Sequence, residues 1–178
     1  VQALVEEHQL PIRVVKAGEI FLSHRCEDMM NEKRLITMGN SHCLLVELPW
    51  VKEAKDQAAE ELLSELIERG YVPIIAHPER YAIVHENYDC LHQWKAMGCY
   101  LQTNRTSLLG LDPMTKANEV AMQMLEDGLI DLVASDAHRS YPPRLPMLSD
   151  VYDFIQCKCG KETADRLCGD TAAELFDL

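Results

Sequence analysis

The 178 residues fit one domain of ordinary size, and 47% apolar with 26% charged residues excludes a disordered, collagen-like or low-complexity chain. Seventeen Lys and Arg against 29 Asp and Glu give a formal charge of −12. That balance argues against nucleic acid and anionic membrane surfaces as partners, and an anionic substrate would need cations gathered locally. No apolar run approaches the ~20 residues of a membrane span, and no basic-then-apolar leader is visible. The chain starts at Val1, and its first eight residues read as the middle or end of a helix, so a fragment or a removed upstream part is expected. Seven cysteines, an odd number without framework spacing, read as reduced cytosolic thiols. Cys157-Lys158-Cys159 is a weak metal or redox signal beside the plainer reading of small side chains on a late helix.

In chain order, strands and helices alternate. Residues 1–9 are predicted helical, stopped at Pro11, which disfavours a helical residue before it. A β-branched run at 12–15 predicts the first strand, leading to Gly18-Glu19. Residues 21–40 give no clear signal beyond a turn at Gly39-Asn40. Residues 43–47 (CLLVE) predict a second strand, stopped by Pro49. A helix follows over 52–69: Ala54, Ala58, Leu62 and Leu66 recur at helical spacing, Glu65 and Arg69 pair at i,i+4, and Gly70 ends it. Residues 72–76 (VPIIA) predict the third strand, running into His77-Pro78-Glu79-Arg80-Tyr81. Then come a helix over 88–97 closed by Gly98, a fourth strand at 99–102 and a helix over 115–127 closed by Gly128. A fifth strand at 130–134 leads into Ser135-Asp136-Ala137-His138 and a proline-rich loop at 139–146. The tail reads as helical, with Thr171-Ala172-Ala173-Glu174 as a capping box. Short apolar strands without clean alternation favour an α/β fold whose parallel sheet is wrapped in helices.

No GxGxxG, Walker A loop or GxSxG elbow is present, so nucleotide-binding folds and serine hydrolases lose ground. The strand ends carry the chemistry instead. The first leads to Glu19, the second to Glu47, the third to His77, and the fifth to Asp136 and His138. In a β/α barrel such ends converge on one face. Carboxylates and imidazoles suit Mn, Fe or Zn, and two neighbouring ions can activate water and orient a phosphoryl group. Period two aligns Asp136 with His138. Taken singly, each has an ordinary alternative. The lesser readings are a solvated loop carboxylate for Glu47, a turn residue for Glu19, a satisfied structural imidazole for His77, and a capped turn for Asp136-Ala137-His138. Arg80 and Arg144 are candidate phosphate binders, since a guanidinium grips phosphate oxygens in a bidentate way. Their alternatives are a surface ion pair with Glu79 or Glu86 and a plain loop arginine, and Arg139 competes with Arg144. His8, His24, His85 and His92 read as surface or packing residues, His42 lies at the wrong strand end, the methionines read as core filler, and Trp50 either walls the pocket or packs.

The segments Gly18-Glu19-Ile20, Leu45-Val46-Glu47-Leu48-Pro49, His77-Pro78-Glu79-Arg80-Tyr81 and Ala134-Ser135-Asp136-Ala137-His138 together resemble the PHP-type (polymerase and histidinol phosphatase) metal-dependent protein-tyrosine phosphatases of bacterial capsule and exopolysaccharide operons. The resemblance implies a distorted (β/α)7 TIM-like barrel with up to three divalent ions, manganese first, with iron or zinc as alternatives. It implies a cytoplasmic enzyme that hydrolyses phosphotyrosine, by water activated at the metals, on the clustered C-terminal tyrosines of a bacterial tyrosine autokinase. It makes Glu19, Glu47, His77, Asp136 and His138 metal ligands and Arg80 a phosphate binder; Arg144 matches a loop arginine with spacing one residue longer. The family opens with a His-x-His strand and a second strand ending in a histidine, neither present here. Residues 1–178 therefore read as the C-terminal three quarters, roughly, of a single PHP domain, with two βα units of about 30 residues each missing. The activity then belongs to the longer protein, and a barrel short of two strands exposes sheet edges. Cys99 and Arg105 have C-x5-R spacing, but residues 99–102 read as the fourth strand rather than a phosphate loop, which argues against thiol-phosphatase chemistry. The other readings are a PHP-type enzyme for a small phosphomonoester such as histidinol phosphate, and a non-catalytic kinase-binding module.

Overall fold

The computed structural model describes residues 1–23, 25–32, 34–48 and 56–176. Five strands form one parallel sheet in sequential order: β1 (Glu19–Phe21), β2 (Cys43–Glu47), β3 (Val72–Ala76), β4 (Tyr100–Asn104) and β5 (Leu132–Ala134). Each is followed by helix before the next parallel strand, as a parallel crossover requires. After α1 (Gln2–Glu7), α2 (Arg25–Asn31) links β1 to β2, α3 (Asp56–Glu68) links β2 to β3, and α4 (Ala82–Glu86) with α5 (Cys90–Met97) links β3 to β4. The short α6 (Arg105–Leu108) and α7 (Thr115–Glu126) link β4 to β5, and α8 (Ser149–Cys159), α9 (Lys161–Asp165) and α10 (Thr171–Phe176) form the tail.

The period of two along each strand divides the sheet into unequal faces. Leu44, Val46, Ile75, Leu101 and Val133 point into the large core, which Leu63 of α3, Trp94 of α5, Met124 of α7 and Ile155 of α8 fill from the other side. The alternating residues Cys43, Ile74 and Leu132 form a small cluster, covered by Leu175 and Phe176 of α10. The ladder sets Glu19 beside Leu45, and Phe21 beside Glu47, on that thinly covered face. The sheet is thus backed by helices chiefly on one side, where the apolar strands suggested cover on both. Among the described residues β1 pairs only with β2, and β5 only with β4, so the five strands make an open sheet.

Strands at 43–47 and 72–76 form as the sequence predicts, and Gly39 turns the chain in the left-handed region at φ +62°. The run at 12–15 forms no strand: the chain is irregular from Ile12 to Gly18, with Ile12, Val14 and Val15 all exposed. β-branched residues favour a pleated, half-buried surface, and no ladder partner is present there among the described residues. Glu19 consequently opens β1 rather than following a strand. β4 runs two residues further than predicted, to Asn104. Thr171 is itself helical (φ −58°, ψ −42°), continuing a π turn over Arg166–Asp170, so the expected capping box starts nothing.

Candidate metal centre

Three of the predicted strand-end residues converge. Glu19, Glu47 and His77 each present a ligand atom within 4.8 Å of the other two. His77 Nε2 lies 3.4 Å from Glu19 Oε1 and 3.8 Å from Glu47 Oε1. Glu19 and Glu47 reach this point from one face of the sheet. His77 comes from the exit of β3, where the backbone turns sharply.

That turn is built locally. His77 has φ +36°, in the left-handed region that costs a non-glycine residue about 1–3 kcal/mol. Its N–H donates to Gln102 O of β4 at 2.7 Å, and Pro78 opens a 3₁₀ turn over Pro78–Arg80. Tyr81 then locks the exit. Its fully buried hydroxyl donates to Ala76 O at 2.6 Å and accepts from the Leu48 N–H at 3.1 Å, joining the ends of β3 and β2. Its ring meets the His77 imidazole edge-on at 5.9 Å.

The charges are mutually adjusted. The hydrogen bond from His77 holds the Glu19 carboxyl below its ordinary value against the opposing effect of burial, and the charges of His138 and Arg144 act in the same direction. Burial presses His77 toward the neutral form, but the Glu19 hydrogen bond and the charges of Glu79 and Glu47 leave its pKa raised. Two carboxylates and an imidazole around one point are a donor set that fits a divalent ion of the Mn, Fe or Zn type.

Asp136 and His138 stand in a second group. Asp136 leaves β5 with φ +46°, and its Oδ1 lies 3.4 Å from His138 Nδ1. Its Oδ2 pairs with Arg144 Nη2, accepts from Asn104 Nδ2 at 2.8 Å and lies 3.6 Å from Arg80 Nη1. Arg144 Nε also donates to Asp136 O at 3.0 Å. Arg80 is bound on its other side by Asp112, whose Oδ1 accepts from the Met114 N–H at 3.0 Å. Thus Arg80 and Arg144 do meet the ligand candidates, both on the same aspartate, whereas Arg139 lies over the Tyr141 ring at 5.4 Å.

β4 joins the two groups, and sequence reasoning passed over it. Gln102 accepts from the His77 N–H and donates from Nε2 to Asn104 Oδ1 at 2.9 Å; Asn104 donates to Asp136. The Asn104 N–H donates to Glu79 Oε1 at 3.0 Å, and burial raises the pKa of that wholly enclosed carboxyl. The signal was available: Gln102-Thr103-Asn104 is a polar run at an apolar strand's exit, and polar side chains buried there need partners. Of the discounted histidines, His85 contacts Glu79 O at 2.7 Å and His92 meets Tyr88 edge-on at 6.2 Å. His24 and Trp50 lie outside the described residues. Cys157 and Cys159 are exposed free cysteines at the end of α8.

A family model for capsular polysaccharide synthesis, CpsB/CapC, matches residues 1–177. The chain belongs to the CpsB/CapC family. Among CpsB/CapC relatives, the tyrosine-protein phosphatase CpsB of Streptococcus agalactiae is 27% identical over 169 residues, 93% of this chain and 68% of its own. The tyrosine-protein phosphatase YwqE of Bacillus subtilis is 32% identical over 136 residues, covering 76% of this chain and 52% of its own. A solved structure from work on Bacillus subtilis YwqE and Streptococcus pneumoniae CpsB, described as unique metal-dependent tyrosine phosphatases, matches with a TM-score of 0.84 at 25% identity. It covers 98% of this chain and 69% of that one. The open five-stranded sheet with its Glu19, Glu47 and His77 group is therefore a CpsB/CapC fold.

Proposed function

We propose that this chain carries the catalytic rim of a metal-dependent protein-tyrosine phosphatase that regulates capsular or exopolysaccharide synthesis by dephosphorylating the C-terminal tyrosine cluster of a bacterial tyrosine kinase. The observation that carries the reading is the convergence of Glu19, Glu47 and His77 beside two arginines that share Asp136. Relatives named tyrosine-protein phosphatases support it.

Glu19, Glu47 and His77 would hold a divalent ion, with manganese as the first choice and Asp136 and His138 as ligands of a neighbouring ion. Bound there, divalent ions supply Lewis acidity toward a phosphoryl oxygen and make a water more acidic. The protein's own part is positioning and charge. Arg80, held by Asp112, and Arg144, held by Asp136, would offer guanidinium N–H groups to the equatorial phosphoryl oxygens, where negative charge is spread in the transition state. Gln102 and Asn104 keep the rim from shifting between its two halves.

We take the 178 residues as the larger part of one domain, a (β/α)7 barrel of TIM-like plan. The pairing of β1 with β2 alone among the described residues and the concentration of helices on one face favour that closure. The chain spans about two thirds of the Streptococcus agalactiae relative's length, so the activity is assigned to the whole protein. Seven free thiols favour a reducing compartment, the cytoplasm, and no helix of the described residues is long and apolar enough to cross a membrane. The test is turnover of a phosphotyrosine peptide by the metal-loaded protein. The expected result is loss on chelation, recovery with Mn²⁺ and indifference to vanadate; chelator-resistant turnover would refute the metal-dependent reading.

A further inference from the structure

Beside the ligand groups lies a cleft of about 340 Å³, toward the small end of the ~300–1,000 Å³ range of ligand sites. Its walls combine apolar surface from Pro113, Met114 and Pro143 with three arginines and Asp112. In a chain of charge −12, a lining of three arginines and one aspartate is a local excess of positive charge, with Asp112 paired to Arg80 and Asp136 to Arg144.

The arginines are graded by depth. Arg80 is the deepest, its side chain 10% exposed, and is held by Asp112; Arg144 is 31% exposed and is held by Asp136. Arg139 is exposed, with no ion pair among the described residues, and rests on the ring of Tyr141. Its backbone is nevertheless fixed. The N–H groups of His138 and Arg139 both donate to Arg144 O, at 3.2 and 3.3 Å. The buried Arg105 ties the same loop down: it donates to Pro143 O at 2.9 Å and grips Asp150 with two bonds of 2.7 and 2.5 Å.

We propose that this cleft seats the aromatic ring of an aryl phosphate against Pro113, Met114 and Pro143, and that Arg139 pairs with a second anionic group on the same polypeptide substrate. The inference rests on the phosphatase reading above and adds what that reading lacks, a means of choosing among phosphorylated sites. A ring needs apolar walls, its phosphate needs the two inner arginines, and Arg139 is the cation left over for a neighbouring charge. The second anion has two possible sources, an acidic side chain or a second phosphate.

The test uses binding of non-hydrolysable phosphonate analogues of phosphotyrosine peptides to the manganese-loaded protein, followed by fluorescence anisotropy at low and high salt. One peptide has neutral flanks, one a flanking Glu and one a second phosphonate. The expected result is a three- to fivefold tighter binding of the anionic-flanked peptides at low salt, about what an exposed ion pair supplies. The advantage should vanish in Arg139→Ala, persist in part in Arg139→Lys and reverse in Arg139→Glu. Preference for the second phosphonate alone identifies a doubly phosphorylated substrate; equal gain from Glu identifies simple acidity. Met114→Ala should narrow the margin of aryl over alkyl phosphonate. If the neutral-flanked peptide binds and neither flank adds affinity, or the gain survives Arg139→Ala, the role of Arg139 is overturned and the phosphatase reading stands. If no aryl phosphonate binds, both fall.

Discussion

His77 and Asp136 both hold left-handed backbone at strand exits, at φ +36° and +46°. Side chains kept in such conformations are over-determined by their surroundings, and they recur at functional sites. His77→Ala and Glu47→Gln should each weaken Mn²⁺ binding, read by calorimetric titration, at least about tenfold, the low end of what losing even an outer partner of a metal site costs. Unchanged affinity in both would remove them from the ligand set. Asn104→Leu should cost about 1–3 kcal/mol in urea denaturation, because Gln102 and Asp136 each lose a buried partner. The place of Glu47 and His77 at strand ends was legible in the sequence because each closes an apolar run with a chemically distinctive side chain. Asn104 was passed over, because an amide at a strand end reads first as a turn former.

At the scale of elements, the rim depends on how β2, β3 and β4 are tied at their exits. Tyr81→Phe keeps the ring and deletes the hydroxyl that joins Leu48 to Ala76. Loss of about 1–3 kcal/mol is expected in urea denaturation, whereas the exposed Tyr141→Phe should stay within about 0.5 kcal/mol. The loop at 139–144 depends on Arg105, whose hydrogen bond is the main cause that holds the Asp150 carboxyl below its ordinary value of 3.8. A depressed carboxylate contributes stability above its ordinary value and loses it as pH falls through the lower folded value. Acid denaturation followed by circular dichroism should therefore show a steeper loss below about pH 4 in the native protein than in Arg105→Met. Equal slopes would dismiss the pair as a support for the loop. The strands at 43–47 and 72–76 were legible because both are apolar runs that pair with neighbours on each side. The run at 12–15 has equal β propensity, yet strand formation is decided by a ladder partner, which local sequence cannot supply.

For the whole molecule, the α/β class and sheet were legible from alternating apolar runs, whereas the openness of β1 and the unequal faces depend on contacts remote in sequence. The free thiols divide in a way that separates this centre from cysteine chemistry. Burial pushes Cys90 and Cys99 each up to about 12, while Cys157 and Cys159 are exposed on α8. Iodoacetamide at neutral pH should label the exposed pair first, by mass spectrometry, and leave Mn²⁺ binding intact. Metal bound to the folded state alone should also raise the melting temperature. At a free concentration 100 times the dissociation constant the gain is about 2.7 kcal/mol, and a chelator should reverse it. The most direct measurement is X-ray diffraction from manganese-soaked crystals at a wavelength where manganese scatters anomalously. The account predicts a peak bounded by Glu19, Glu47 and His77; anomalous peaks found only away from those three side chains would contradict it.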